Sequence, residues 1–246
     1  MTLWRVAGLC LIGAVALALD GCAGTPGTRG DPLEGMNRAV FSFNEGLDKA
    51  VIKPVAEGYQ AVLPEFVRTT IANFFNNFND GWSAINHLLQ AKPQAALEMG
   101  MRFSANTVFG FGGLFDIAGA GIERRPEDFG QTLGRWGMPP GAFLVLPVLG
   151  PSTLRDTTAL LLDFRAVPEA FLDERPARWA LGSLHVISVR AGLLTATRTL
   201  DEIALDKYSL IRDGYLARRR NLVYDGNPPE EPEPPDTESN EGSAPQ

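Results

Sequence analysis

The sequence predicts an all-α protein. Three observations carry that prediction. Apolar residues recur at steps of three or four along most of the chain, strand-like alternation is nearly absent, and prolines and glycines fall where helices start and stop. No internal repeat interrupts the pattern, and about 200 residues suffice for a sizeable core.

Asp31-Pro32-Leu33-Glu34 has the form of a helix start, with Asp31 as cap, Pro32 at the first helical position and Glu34 reaching back. Met36, Val40, Phe43, Leu47 and Val51 then form one apolar stripe. Pro54 is expected to restart the helix. After Pro64, a second stripe runs through Val67, Ile71, Phe74, Phe75, Phe78, Trp82 and Ile85, with Asn73, Asn76, Asn77, Asn79 and Asn86 turned elsewhere. Pro93 opens a helix towards Phe109, and a glycine-rich stretch from Gly110 to Gly121 ends it. Residues 127–136 read as a short helix that Gly137 can terminate. Pro139-Pro140-Gly141 leads into an apolar run, 142–149, closed by Gly150-Pro151. Its prolines forbid a long helix, so it reads as a hairpin-like loop. Ser152 is expected to cap a helix through Leu162. The longest helical region is expected from Pro176 to about Tyr224, as one or two helices, with Ala180, Leu184, Ile187, Ala191 and Leu194 on one face.

The ends differ from this body. Arg5 precedes fourteen uncharged residues, too short a run for a comfortable membrane span, followed by Leu19-Asp20-Gly21-Cys22. That reads as a lipoprotein signal over 1–21, with Cys22 lipidated and 22–30 a short Gly/Thr/Pro tether. Once the leader with Cys10 is removed, the single remaining cysteine cannot close an internal disulfide. From Asp225 onward there are seven acids, six prolines and no base, so 225–246 reads as an acidic, disordered tail. The tail accounts for the whole net charge of −7, and the body is neutral. A nucleic-acid face is therefore not expected.

Two histidines and two cysteines exclude zinc knuckles and Cys/His metal sites. No nucleophile elbow, P-loop or dinucleotide fingerprint is present. His87 and His185 read as partly buried helix residues, and the pairs Glu127/Asp128 and Asp173/Glu174 as solvated helix starts. Arg218-Arg219-Arg220 fits a solvated final helix turn or attraction to an anionic membrane surface. No catalytic residue, metal or cofactor is expected; the covalent lipid on Cys22 is the one attached group.

Several segments in order carry a resemblance. They are Asp31-Pro32-Leu33-Glu34-Gly35-Met36-Asn37-Arg38, Phe41-Ser42-Phe43-Asn44, Lys53-Pro54-Val55-Ala56, Asn73-Phe74-Phe75 and Asn86-His87-Leu88-Leu89-Gln90. Arg102-Phe103-Ser104-Ala105-Asn106-Thr107 follows, then Glu127-Asp128-Phe129-Gly130-Gln131-Thr132-Leu133-Gly134-Arg135-Trp136-Gly137, Leu144-Val145-Leu146-Pro147, Gly150-Pro151-Ser152 and Arg155-Asp156. Over about 31–215 the chain resembles the MlaA (VacJ) family of outer-membrane lipoproteins. Its departures are Ala142-Phe143, where the family has Pro-Tyr, and Asp80-Gly81-Trp82, where it has Glu-Pro.

The resemblance implies a helical domain, 31–224, forming a ring in one membrane leaflet, with a central amphipathic channel and a hairpin loop beside it. It implies retrograde phospholipid transport that maintains lipid asymmetry. The partners it implies are phospholipids, the outer membrane, a periplasmic phospholipid carrier and trimeric porins. The expected location is the periplasmic face of the outer membrane, lipid-anchored. The expected gate is the loop with Gly137, Pro139, Pro140, Gly141, Gly150 and Pro151, and the polar candidates for the lipid path are Asn44, Asp128, Gln131 and Arg135. Two alternatives are a structural envelope lipoprotein, needing only its anchor, and a lipid hydrolase using Ser152.

Overall fold

The computed structural model describes residues 31–230. Cys22, the leader, the tether and the tail beyond Glu230 lie outside the described residues. Nine α-helices and one two-stranded hairpin are described. Helix α1 (Glu34–Leu47) runs through a π-helical turn (Asp48–Ile52) directly into α2 (Lys53–Val62). The expected restart at Pro54 does not occur. The Lys53 amide bonds Asp48 O, five residues back, and this widened turn lets the helix pass a proline without breaking.

Helices α3 (Glu65–Leu89) and α4 (Pro93–Val108) pack against each other as a hairpin, and α5 (Phe129–Arg135) follows a long irregular connection. Asp128 caps α5 by accepting from the Gln131 amide at 2.8 Å. Gly137, at φ +93°, ends it: Gly137 N reaches Gly134 O and Met138 N reaches Leu133 O, each at 3.0 Å.

Strands β1 (Phe143–Leu146) and β2 (Gly150–Thr153) pair antiparallel, Phe143 opposite Thr153 and Leu146 opposite Gly150. Then come α6 (Leu154–Asp163), α7 (Arg175–Gly192), α8 (Leu194–Ile203) and α9 (Lys207–Val223). The cap of α6 is Thr153, whose hydroxyl accepts from the Asp156 amide at 3.1 Å, and not Ser152, whose hydroxyl pairs with Thr157 instead. The longest described helix is α3, because the 176–224 region is broken twice and forms three helices. The first break, between α7 and α8, is a bend of 51°.

The elements close a circuit. Helix α1 leads into α2, α2 packs on α7, α7 on α3, α3 on α5, α5 on α6 and α9, and the hairpin joins α6 and α9 back to α1. Two small apolar clusters hold it: Ala56, Ala191 and Leu194 where α2 meets α7 and α8, and Phe143, Val145 and Tyr208 under the hairpin.

Burial in the ring is the reverse of that in most globular proteins. Among the described residues, fully buried polar side chains outnumber buried hydrophobic ones, seventeen to ten. The inward side of α1 carries Asn37, while Phe43 of the expected stripe is 58% exposed. On α3 the buried side chains are mainly Asn77, Asp80, Ser83, Asn86 and His87, whereas Phe66 is 65% exposed. Trp179 of α7 is 75% exposed. Large hydrophobic side chains are exposed on α1, α3 and α7 alike. No single described helix is long and apolar enough to cross a membrane.

Between α3, α4 and the loop after α4 lies an ionic cluster with Arg102 and Asp80 buried at its centre and Asp116 and Arg124 partly exposed at its edge. Arg102 donates through Nε to Asp80 (3.1 Å), through Nη2 to both Asp116 oxygens (2.8 and 2.9 Å), and through Nη1 to Ile122 O. Arg124 closes the other side of Asp80 at 2.8 Å, and Asn106 donates to Asp116 at 2.9 Å.

Candidate functional site

The hairpin is held at its outer edge by side chains rather than by a third strand. Asn37 donates to Phe143 O (3.0 Å) and accepts from Val145 N (2.9 Å). Two helical turns further on, Asn44 donates to Leu146 O (2.9 Å) and accepts from Val148 N (2.8 Å). A primary amide presents one donor face and one acceptor face, so two of them in line imitate a strand ladder. The tip is a γ-turn, Leu149 N to Pro147 O at 2.8 Å, and Val148 at its centre sits at φ +68°. For a β-branched residue that conformation costs about 1–3 kcal/mol. Asn37 also reaches Asp31, which accepts from the Tyr208 hydroxyl, so the start of the domain, β1 and α9 share one buried knot.

Beneath the hairpin lies a second knot. Arg219 of α9 donates through both terminal nitrogens to Asp128 and through Nη2 to Asp156 at 3.0 Å, while its Nε lies 2.9 Å from the other Asp156 oxygen. Asp156 also accepts from Arg155 Nε and the Tyr215 hydroxyl, each at 2.9 Å. Burial alone would push both carboxyls up, but Arg219 outweighs it and holds Asp128 and Asp156 below the ordinary carboxylate range. Asp163, half-buried and without a guanidinium in contact, is pushed up by its partial loss of water.

Arg219 forms part of the wall of two cavities. A small one of about 190 Å³ lies between Leu146, Leu149 and Pro151 of the hairpin and Asp128, Asp156 and Asp163 opposite. A larger open one of about 1050 Å³ is lined by Gly137, Pro139, Pro140 and Gly141 with Arg155 and Arg220. The first is amphipathic in the literal sense, with aliphatic side chains facing carboxylates across it.

The family model of the MlaA lipoprotein matches residues 29–222. The chain belongs to the MlaA lipoprotein family. It is 34% identical over 222 residues to the intermembrane phospholipid transport system lipoprotein MlaA of Haemophilus influenzae, covering 86% of this chain and 88% of that one. Its identity to the protein of that name from Escherichia coli K12 is 32% over 219 residues, 85% of each chain. A Rickettsia conorii protein is 40% identical over 200 residues, 80% of each. A solved structure described as the structural basis for maintenance of bacterial outer membrane lipid asymmetry superposes with a TM-score of 0.68 at 32% identity, covering 79% of this chain and 100% of that one. The helical ring with its hairpin is thus the MlaA fold.

Within this MlaA-family chain the expected path residues are not brought to one place. Asn44 is engaged with the hairpin tip, and Asp128 is both the cap of α5 and a partner of Arg219. Gln131 is buried, donating to Asp128 at 3.2 Å, and faces a separate cavity with His87 and Glu127. Arg135 is exposed at the end of α5. Of the loop residues, Gly137, Pro139, Pro140 and Gly141 border the larger cavity, and Pro151 borders the smaller. Gly150, at φ +84°, opens β2.

Several side chains sit differently from their sequence expectation. Asp31 is buried and does not cap α1; no side chain does. Of the expected solvated pair, Asp128 does start a helix, as the cap of α5, and keeps a third of its side chain exposed, whereas Glu127 is buried against Gln90 (2.9 Å) and Lys92 (3.3 Å). Arg219 leaves the solvated run of three arginines because it faces inward from α9. His87 donates or accepts at Arg125 O (3.1 Å), His185 stacks on Phe75, and the Ser152 hydroxyl pairs with Thr157 at 2.9 Å, so none of these builds a nucleophile–base pair. Asn37, Arg155, Asp156, Tyr215 and Arg219 were not singled out as site residues. The signal available was the seven-residue spacing of Asn37 and Asn44, which puts both on one face of α1.

Proposed function

We propose that the protein removes misplaced phospholipids from the outer leaflet of the outer membrane and passes them to a periplasmic phospholipid carrier, without a chemical step of its own. It would be anchored by a lipid on Cys22 and would lie in the inner leaflet at the periplasmic face. The observation that carries the reading is the reversed burial: a polar interior inside an apolar perimeter. A phospholipid head group is costly to move through hydrocarbon, and polar side chains along the interior lower that cost while the acyl chains follow aliphatic surface. The apolar perimeter, with Phe43, Phe66 and Trp179, suits contact with neighbouring lipid tails.

In this reading loop 139–151 is the gate, with Gly137, Gly141 and Gly150 as its hinges and Asn44 as the clasp at its tip. Asp128 contributes to the polar wall behind the hairpin. Gln131 supports Asp128, and Arg135 stands outside the path. Trimeric porin is the partner the perimeter would meet in the membrane.

The test is a complementation. In a strain lacking the protein, surface-exposed phospholipid is expected to rise and wild type to restore the barrier. Gly141→Pro is expected to fail, because Gly141 sits at φ +69° and proline is fixed near φ −65°. Unchanged asymmetry on loss of the protein, or recovered lipid that is cleaved, sinks the transport reading.

A further inference from the structure

Near the end of α3, His87 is 2% exposed, and its two ring nitrogens are served unequally. Nε2 lies 3.1 Å from Arg125 O; a carbonyl oxygen only accepts, so Nε2 carries a proton and donates. In the neutral ring that leaves Nδ1 a bare acceptor. Nδ1 is buried, has no hydrogen-bond partner among the described residues, and faces Oε1 of Glu127 at 3.8 Å. Glu127 is buried too and, when ionised, also only accepts: Oε2 from Gln90 at 2.9 Å and Oε1 from Lys92 at 3.3 Å. Two acceptors thus face each other with no donor between them, which is unfavourable away from water. One proton, on either atom, turns the arrangement into a hydrogen bond.

Charged groups approach the pair from each neighbouring element. Lys92, just before α4, bridges Glu127 and Asp225, the latter just past α9, at 2.5 Å. The loop before α5 brings Glu123 and Arg125, which is held by Glu98 of α4 at 3.2 Å, and α5 brings the neutral Gln131. Lys92 and Arg125 oppose a positive charge on His87 and Asp225 favours one, but burial is the largest effect and holds the imidazole below its ordinary value. Burial also pushes the Glu127 carboxyl up, against the pull of Gln90 and Lys92. The two shifts converge, so a single proton shared by the pair suits both groups. A cavity of about 750 Å³ lined by these residues gives water a route to them.

We propose that His87 and Glu127 form a proton-operated clasp, open when the pair holds no proton and closed by a hydrogen bond between Nδ1 and Oε1 when it holds one. The clasp joins the last turn of α3 to the segment entering α5. The next residue, Asp128, caps α5 and pairs with Arg219 behind the hairpin, so the clasp sets how firmly that helix start is seated. It goes beyond the transport reading and stands or falls apart from it.

The experiment is an NMR titration of the full-length, detergent-solubilised lipoprotein from about pH 8 to about pH 4.5, with labelled histidine nitrogens and glutamate carboxyls. The chain has two histidines, so His185→Gln assigns the ring signals, and Glu127→Gln assigns the carboxyl. Near pH 8, Nδ1 of wild type is expected to resonate as a bare lone pair. As pH falls it is expected to move to a hydrogen-bonded position in one step, reported at the same pH by the Glu127 carboxyl and lying above the ordinary carboxyl value of about 4.3. Glu127→Gln supplies an amide N–H in place of the missing proton and is expected to lower the His87 midpoint by about one unit or more. Lys92→Met removes an opposing cation and is expected to raise the shared midpoint by about half a unit.

An Nδ1 already protonated near pH 8 means a permanently closed contact and overturns the switch. Steps at different pH for the two groups, or a His87 midpoint indifferent to Glu127→Gln, overturn the clasp itself. Should the Glu127 or Lys92 variant fail to fold, the Nδ1 trace with Glu127 intact decides alone: a nitrogen that stays bare down to about pH 4.5 sinks the proposal.

Discussion

Two arginine–aspartate knots, each partly buried, lie in this ring, and they are built from the same parts. Between α3 and α4, Arg102 and Arg124 face Asp80 and Asp116; under the hairpin, Arg155 and Arg219 face Asp128 and Asp156. Arg102 spends all its nitrogens on protein acceptors, including a backbone carbonyl, and lies in a closed interface. Arg155 spends one and borders a cavity. Buried ion pairs add little net stability by themselves, because desolvation offsets their attraction. What separates the two knots is therefore their surroundings, packed protein around Arg102 and cavity walls at Arg155 and Arg219, not the presence of charge.

The comparison is sharpened most by Arg102→Met, which leaves Arg124 as the one cation for both Asp80 and Asp116. It should cost about 3–5 kcal/mol in urea unfolding, and a loss under 1 kcal/mol would break the view of that knot as a fastening. Arg219→Gln should cost somewhat less, about 2–3 kcal/mol, since Arg155 and the Tyr215 hydroxyl still serve Asp156.

The second variant also carries a pH signature. The wild-type carboxyls Asp128 and Asp156 titrate below their unfolded values of about 3.9, so the stability they contribute is full above that pH and is lost as pH falls through the lowered folded values. The melting-temperature gap between wild type and Arg219→Gln should be widest near neutrality and should narrow below about pH 4. Arg124→Gln, at the rim of the closed knot, should cost about 1 kcal/mol, with Arg102 still on Asp80. Arg135→Gln should change neither stability, within about 0.5 kcal/mol, nor lipid binding.

Much of the scaffold was legible. Pro93 opens α4, Gly137 ends α5, and the prolines around 142–149 do mark a hairpin, because each of these is settled by local backbone chemistry. The direction of the stripes was not. Phe43 and Asn37 both obey helical spacing, and periodicity tells which residues share a face, not whether that face meets protein or a hydrocarbon surround. Arg219 was unreadable for a related reason: in a run of three arginines the helix phase alone decides which one turns inward, and the partners Asp128 and Asp156 lie 91 and 63 residues away.

The π-helical turn at Asp48–Ile52 does more than pass Pro54. On one side of it, α1 offers Asn37 and Asn44 to the hairpin; on the other, α2 offers Ala56 and Gln60 to α7, where Gln60 donates to Ala191 O at 2.8 Å. One helical rod thus serves two customers at two bearings, and the extra residue in its wall sets the angle between them. Each residue of an α-helix turns the face by about 100°. Deleting one residue from this turn would leave every local contact chemically possible while aiming half of the rod in the wrong direction, much as a key cut with one notch missing still enters the lock and fails to turn it.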